Sequence, residues 1–252
     1  MSSLRPAGSR RVSGLALALG LLLSFATPGR ADSAGSSYAF ANRVVFDTVE
    51  VDRVTSRSTR LLNVVPLDDK GPLKVAGKAA MPGQSAYIAA YGSRKDALIV
   101  LLWDRVEIYD LADAAKPRFV RALALADQGV SAPGQPLVET AGADEFVLLG
   151  TRNTTRLTAA DGGDWRATPL PPPTPEQRAR MSAPPDAVLA HQKPMAAPLL
   201  LRQSDRFRYE LVWTEKRQPG RVVHRKYVRQ VDKANGRPTS EILLGTDIET
   251  VD

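Results

Sequence analysis

The chain has 252 residues, 43% hydrophobic and 24% charged, with two histidines, no cysteine and a formal net charge of +7. Lacking cysteine, it can form no disulfide, thiol nucleophile or lipid-modified amino terminus, so its core alone must hold the fold. With so few histidines, neither resembling a partnered base or metal ligand in its spacing, the commonest triad and metal chemistries are excluded as starting points.

Residues 1–31 read as a signal peptide. Arg5, Arg10 and Arg11 form a basic start, Leu15 to Ala26 an apolar run, and Gly29-Arg30-Ala31 a small-residue end. The run of 12 residues is shorter than the roughly 20 that a bilayer-spanning helix needs, and no comparable stretch follows. The expectation is a periplasmic or secreted protein, cleaved near Ala31, without a membrane span. The usage rich in Ala, Arg and Pro looks bacterial and favours the periplasm, and Arg10-Arg11 leaves both the general and the twin-arginine export routes open. Cleavage removes four arginines and no acids, leaving +3, which gives little reason to expect nucleic acid as a partner.

Beyond the leader, apolar residues recur in runs of four to seven bounded by Gly, Pro, Asp and Asn, which is strand rather than helix patterning. A first unit places a strand at Arg60 to Leu67, a turn at Asp68-Asp69-Lys70-Gly71 and a strand at Leu73 to Gly77. The clearest unit follows, with strands at Ala97 to Leu102, Arg105 to Asp110 and Arg118 to Leu123, the last two joined by a turn from Leu111 to Pro117. A shift of 48 residues superposes Asp96 on Asp144, Leu98-Ile99-Val100-Leu101 on Phe146-Val147-Leu148-Leu149, Tyr109 on Leu157 and Arg118 on Arg166. That self-similarity predicts a repeat. Residues 168–198 are crowded with proline and should carry no strand ladder, although Thr174-Pro175-Glu176-Gln177-Arg178-Ala179-Arg180-Met181 has the cap and first-turn proline of one short helix. The last unit takes Arg208 to Thr214, Val222 to Asp232, the turn Lys233-Ala234-Asn235-Gly236 and Glu241 to Leu244, Asn-Gly being a strong hairpin signal. Four units of about 45 residues each thus cover most of the chain. A meander cannot cover both its own faces, so stacked copies are expected.

Val106-Glu107-Ile108-Tyr109-Asp110-Leu111-Ala112-Asp113-Ala114-Ala115-Lys116-Pro117 resembles β-propeller blades, particularly LVIVD-type repeats, whose apolar strand ends in Asp before a D-x-x-K-P turn. Val231-Asp232-Lys233-Ala234-Asn235-Gly236-Arg237 is similar to the D-x-x-x-G turn of quinoprotein-like and WD40-like blades. The likeness implies an all-β fold of repeated antiparallel meanders, propeller-like, and a binding platform; a β-sandwich or barrel is the alternative. The organisation expected is a signal peptide (1–31), a first set of meanders (32–167), a proline-rich insert or linker (168–198) and a C-terminal meander (199–252).

The most unusual stretch runs from Arg202 to Arg237, with 11 Lys and Arg against four acids. As strands, it sets Phe207, Tyr209, Leu211 and Trp213 on one face, and alternates Arg225, Tyr227 and Arg229 on the next strand. Arg206, Arg208, Trp213, Arg225, Tyr227 and Arg229 are the candidate contacts for an anionic partner, whether an envelope protein surface, an acidic glycan or a lipid headgroup. The competing reading has the aromatics filling the core and the cations guarding a solvated sheet face. His191, in the insert, and His224, on a strand, read as solvated residues. The acid pairs Glu50/Asp52, Asp68/Asp69, Asp144/Glu145 and Asp247/Glu249 read as turns or solvated faces. No catalytic, metal-binding or cofactor-binding residue is assigned, and oligomeric state is left open. The function expected is a non-catalytic binding or scaffold protein; an exported glycan hydrolase using paired carboxylates and an envelope assembly factor acting by strand addition are the alternatives.

Overall fold

The computed structural model describes residues 30–31, 37–52, 54–82, 88–130, 137–142, 144–150, 153–159, 164–181 and 197–250. Its strands form four antiparallel meanders, here called blades I to IV in chain order. Blade I contains β1 (Arg30–Ala31), β2 (Ser37–Phe40), β3 (Arg43–Val51), β4 (Ser58–Pro66) and β5 (Gly77–Ala80), with β1 and β2 both pairing with β3. Blade II is β6 (Ile88–Arg94), β7 (Ala97–Leu102), β8 (Arg105–Asp110) and β9 (Arg118–Ala124). Blade III is β10 (Leu137–Gly142), β11 (Glu145–Leu149), β12 (Thr154–Ala159) and β13 (Trp165–Leu170). Blade IV is β14 (Leu199–Gln203), β15 (Phe207–Gln218), β16 (Arg221–Asp232) and β17 (Pro238–Thr250). The fold is all-β and propeller-like, and neither of the alternatives, sandwich or barrel, describes the four separate sheets.

Period-two alternation lets blades I and II bury both faces, and three apolar clusters show how the blades stack. In blade I, Val45, Leu62 and Val64 meet Leu98, Val100 and Tyr109 of blade II. The opposite face of blade II sends Ile99, Leu101 and Val106 against Phe146, Leu148 and Trp165 of blade III, where Phe146 and Trp165 stack with centroids 5.8 Å apart. The opposite face of blade I sends Val44, Phe46 and Val65 against Phe207, Tyr209 and Val228 of blade IV. The stacking order is therefore IV, I, II, III. Each such side chain taken fully from water contributes about 1.5–3 kcal/mol before chain entropy is subtracted.

Turns recur at corresponding places. Between the third and fourth strands, Asp68, Asp110 and Asp232 each accept a backbone N–H two residues on, from Lys70, Ala112 and Ala234. An aspartate there closes the turn with its own side chain. Gly77, at the start of β5, lies so close to the Asp113–Pro117 turn of blade II that a Cβ would stand 2.4 Å from Pro117 Cδ and 2.5 Å from the Ala114 carbonyl oxygen. Glycine is what permits that approach.

Several expectations need correction. The strand expected at Leu73 to Gly77 begins only at Gly77, because residues 67–76 form an irregular loop held by partners in blade IV. A ladder does enter the proline-rich segment: Thr168, Pro169 and Leu170 pair with Arg156, Thr155 and Thr154. β13 is the outer strand of its sheet, where a missing N–H costs little. The short helix is present as α1 (Pro175–Met181), closed by a reciprocal cap in which Gln177 N–H donates to Thr174 Oγ1 and Thr174 N–H donates to Gln177 Oε1. Residues 1–29 and 182–196 lie outside the described residues, and with them His191 and nearly all of the expected signal peptide.

Candidate functional site

The paired strands β15 and β16 carry all six candidate contact residues or flank them, and their register decides which share a face. Trp213 stands opposite Lys226, Tyr209 opposite Gln230 and Leu211 opposite Val228, so this row faces blade I. Arg208, Val212 and Thr214 stand opposite Val231, Tyr227 and Arg225, and Glu210 stands opposite Arg229. Arg208, Arg225, Tyr227 and Arg229 therefore share the outer face of blade IV, whereas Trp213 lies on the other face and Arg206 sits in the turn before β15. The single patch expected from the sequence is split across the sheet.

Charge on the outer face is largely compensated. Arg208 pairs with Glu210 and Arg229 with Glu241, both at 2.5 Å. Arg206 lies over the Phe207 ring at 4.7 Å. Arg225 is exposed and stands opposite Thr214 and Thr246. His224 is buried rather than solvated, opposite Glu215 and Asp247 in the ladder. Its strand lies between two others, so both flanks are covered.

A second constellation, missed in the sequence, lies between blades I and II. Asp47 on β3 is 3% exposed, and its Oδ2 accepts two hydrogen bonds from Arg60, at 2.8 and 2.9 Å. Glu107 on β8 is fully buried; its Oε2 accepts from the Tyr109 hydroxyl at 2.7 Å and its Oε1 from Arg105 Nε at 2.8 Å. Burial, with Asp47 beside it, pushes the Tyr91 hydroxyl well above the ordinary tyrosine value. Burial and the Glu107 hydrogen bond do the same to Tyr109. Both phenols stay neutral and act as donors. On the blade IV side, burial lowers the Lys226 ammonium to about 8, against the attraction of Asp47, while its Nζ rests 5.1 Å from the centre of the Trp213 ring. A signal was legible: Asp47 and Glu107 each interrupt an apolar run, Val44-Val45-Phe46 and Val106-Glu107-Ile108.

The carboxylate pairs sit at separate places. Asp52 accepts from Val54 and Thr55 N–H in the β3–β4 turn, and these bonds hold it below the usual carboxylate range. Glu50 pairs with Lys78, and Glu145 with Arg156. Asp69 Oδ1 accepts from the Tyr209 hydroxyl. The side chains of Asp247 and Glu249 lie outside the description. Among the described residues, no group of three or more His, Asp or Glu side chains could hold a metal ion, and no helix is long and apolar enough to cross a membrane.

No family model and no curated protein matches the chain. A solved structure, the AfRom2 CNH domain, is similar to it at 12% sequence identity with a TM-score of 0.31, over 91% of this chain and 61% of that one. The chain thus spans about three-fifths of the length of that structure.

Proposed function

We propose that the chain is an exported, non-catalytic binding or scaffold protein of the periplasm or extracellular space, whose propeller-like stack offers the outer face of blade IV to an anionic partner. One observation supports this reading above the others. The apolar clusters join blade IV to I, I to II and II to III, and none of them includes the face that carries Arg208, Arg225, Tyr227 and Arg229, where Arg208 and Arg225 are exposed while Val212 and Val231 between them are buried. A sheet face at the end of a stack, with Arg208 and Arg225 exposed and a half-buried tyrosine beside them, suits an acidic surface better than an apolar one. The likeness of the Asp110 and Asp232 turns to propeller blades is in keeping with a platform role, and the leader is in keeping with export.

The test is capture from an envelope extract by the mature chain and by Arg225→Glu/Arg229→Glu. Loss of the captured partner with an unchanged thermal melt supports the surface; undiminished capture removes it. Strand addition has its own supporting feature, since β17 runs 13 residues and pairs only with β16 among the described residues. A backbone crosslink from β17 to the captured partner would favour that mode over the outer face.

A further inference from the structure

The irregular loop 67–76 of blade I is fixed by side chains of blade IV. Tyr209 donates its hydroxyl proton to the Asp68 carbonyl at 2.7 Å, Gln230 Nε2 donates to the Gly71 carbonyl at 3.1 Å, and Leu73 N–H donates to Ser240 Oγ at 2.9 Å. Arg202 donates to the Leu67 carbonyl. Behind the loop, Gly77 is pressed against the Asp113–Pro117 turn. Four side chains of blade IV therefore hold one short stretch of non-repetitive backbone, and blade II abuts the strand that follows it, more restraint than a connector needs.

Between this loop, Arg43 and the Asp113 turn lies a recess of about 520 Å³. That volume is in the range of small-molecule pockets, roughly 300–1,000 Å³. Its chemistry is uneven. Arg43 is spent within the protein, donating to the Leu111 carbonyl and to Asp96. Lys70 and Lys74 are exposed and have no ion-pair partner among the described residues. Asp68 and Asp113 each give one oxygen to a turn N–H, of Lys70 and Ala115, and keep the other. Two ammonium groups with no ion-pair partner among the described residues and two half-used carboxylates thus border one cavity. The first pair attracts an anionic group; the second accepts from hydroxyl donors. No aromatic ring belongs to the described lining, so nothing offers a nucleobase a stacking surface.

We propose that the recess is a binding site for a small polyhydroxylated anion, a sugar acid or sugar phosphate, with Lys70 and Lys74 taking the anionic group and Asp68 and Asp113 accepting from its hydroxyls. The site is separate from the outer face of blade IV, and it stands or falls independently of that surface.

The test is calorimetric titration of the full chain at low salt with glucuronate, glucose 6-phosphate and glucose, repeated on Lys70→Ala/Lys74→Ala and on Arg225→Glu. The expected result is saturable binding of a charged sugar, with glucose weaker by about tenfold or more, the scale of one charge-assisted hydrogen bond. The double variant, whose lysines are exposed, should keep its thermal melt and lose about tenfold in affinity, and Arg225→Glu should bind as before. Which charged sugar binds more tightly identifies the anionic group. Absence of saturable binding by both charged sugars, equal binding of glucose, or an unchanged affinity in the double variant overturns the proposal.

Discussion

The seam between blades I and II and the outer face of blade IV are built from the same kinds of residue, arginine, acid and tyrosine, yet bury them to opposite degrees. At the seam, Glu107 is fully buried and Asp47 nearly so; both oxygens of Glu107 accept a hydrogen bond, and Asp47 Oδ2 accepts two from Arg60. On blade IV, the Arg208 and Arg225 side chains reach water, and the pairs Arg208–Glu210 and Arg229–Glu241 each keep one partner partly exposed. The difference teaches that a buried pair is expensive to break, whereas an exposed pair is nearly free and leaves its cation available to a partner.

The largest effect should come from breaking the seam. Glu107→Ala removes the acceptor of both Tyr109 and Arg105 in a closed interior, and should lower stability by about 3–5 kcal/mol, read as a fall in the midpoint of urea unfolding. Lys226 should respond in the other direction. Its folded pKa of about 8 lies below the ordinary value of 10.5, so between these values the unfolded chain holds more protons than the folded one. Stability should therefore rise as pH climbs from 8 to about 9.5, above which the unfolded chain begins to ionise the tyrosines that the fold keeps neutral, and it should fall back on return to pH 8. Lys226→Met should abolish that slope and stabilise the fold at pH 7 by about 1–3 kcal/mol, since it removes a desolvated charge while keeping the contact with Trp213. Thermal melts across that pH range check both statements.

A smaller loss, about 1–2 kcal/mol, is expected of Tyr209→Phe, which deprives the Asp68 carbonyl and the Asp69 carboxylate of a donor. The same melts detect it, and protection of amide protons in residues 67–76 should fall. Smallest of all, Arg225→Glu should move the melt by less than about 0.5 kcal/mol, because its side chain is exposed. A large loss there would mean that the outer face of blade IV is packed rather than free, and would erase the contrast with the seam.

Strand residues that pack on both sides were legible in the sequence. Ala97–Leu102 and Arg105–Asp110 were bounded correctly, because a run of branched and aliphatic residues between Asp and Gly signals has no other economical use. What the sequence hid was the first strand of blades II, III and IV. β6, β10 and β14 pair through a register shift, at Ile88/Ala90, Thr140/Gly142 and Leu200/Arg202. A bulge adds one residue to the alternation, and a period broken in a strand of five to seven residues is no longer a period. The candidate surface was half legible for a related reason. Alternation along β15 placed its aromatics on one face, but which of its arginines lies beside which of β16 depends on the pairing of Glu210 with Arg229, and that is not a property of either strand alone.

By itself, then, the sequence determined the all-β class, the repeating unit and the Asp-closed turns, since all three follow from interactions within a few residues. Only the tertiary structure decided the order in which blades stack, the burial of Asp47 and Glu107, and the pinning of loop 67–76 over a recess. Each of these depends on side chains brought together from distant parts of the chain, as when Tyr209 meets Asp68, and no local pattern encodes such a meeting.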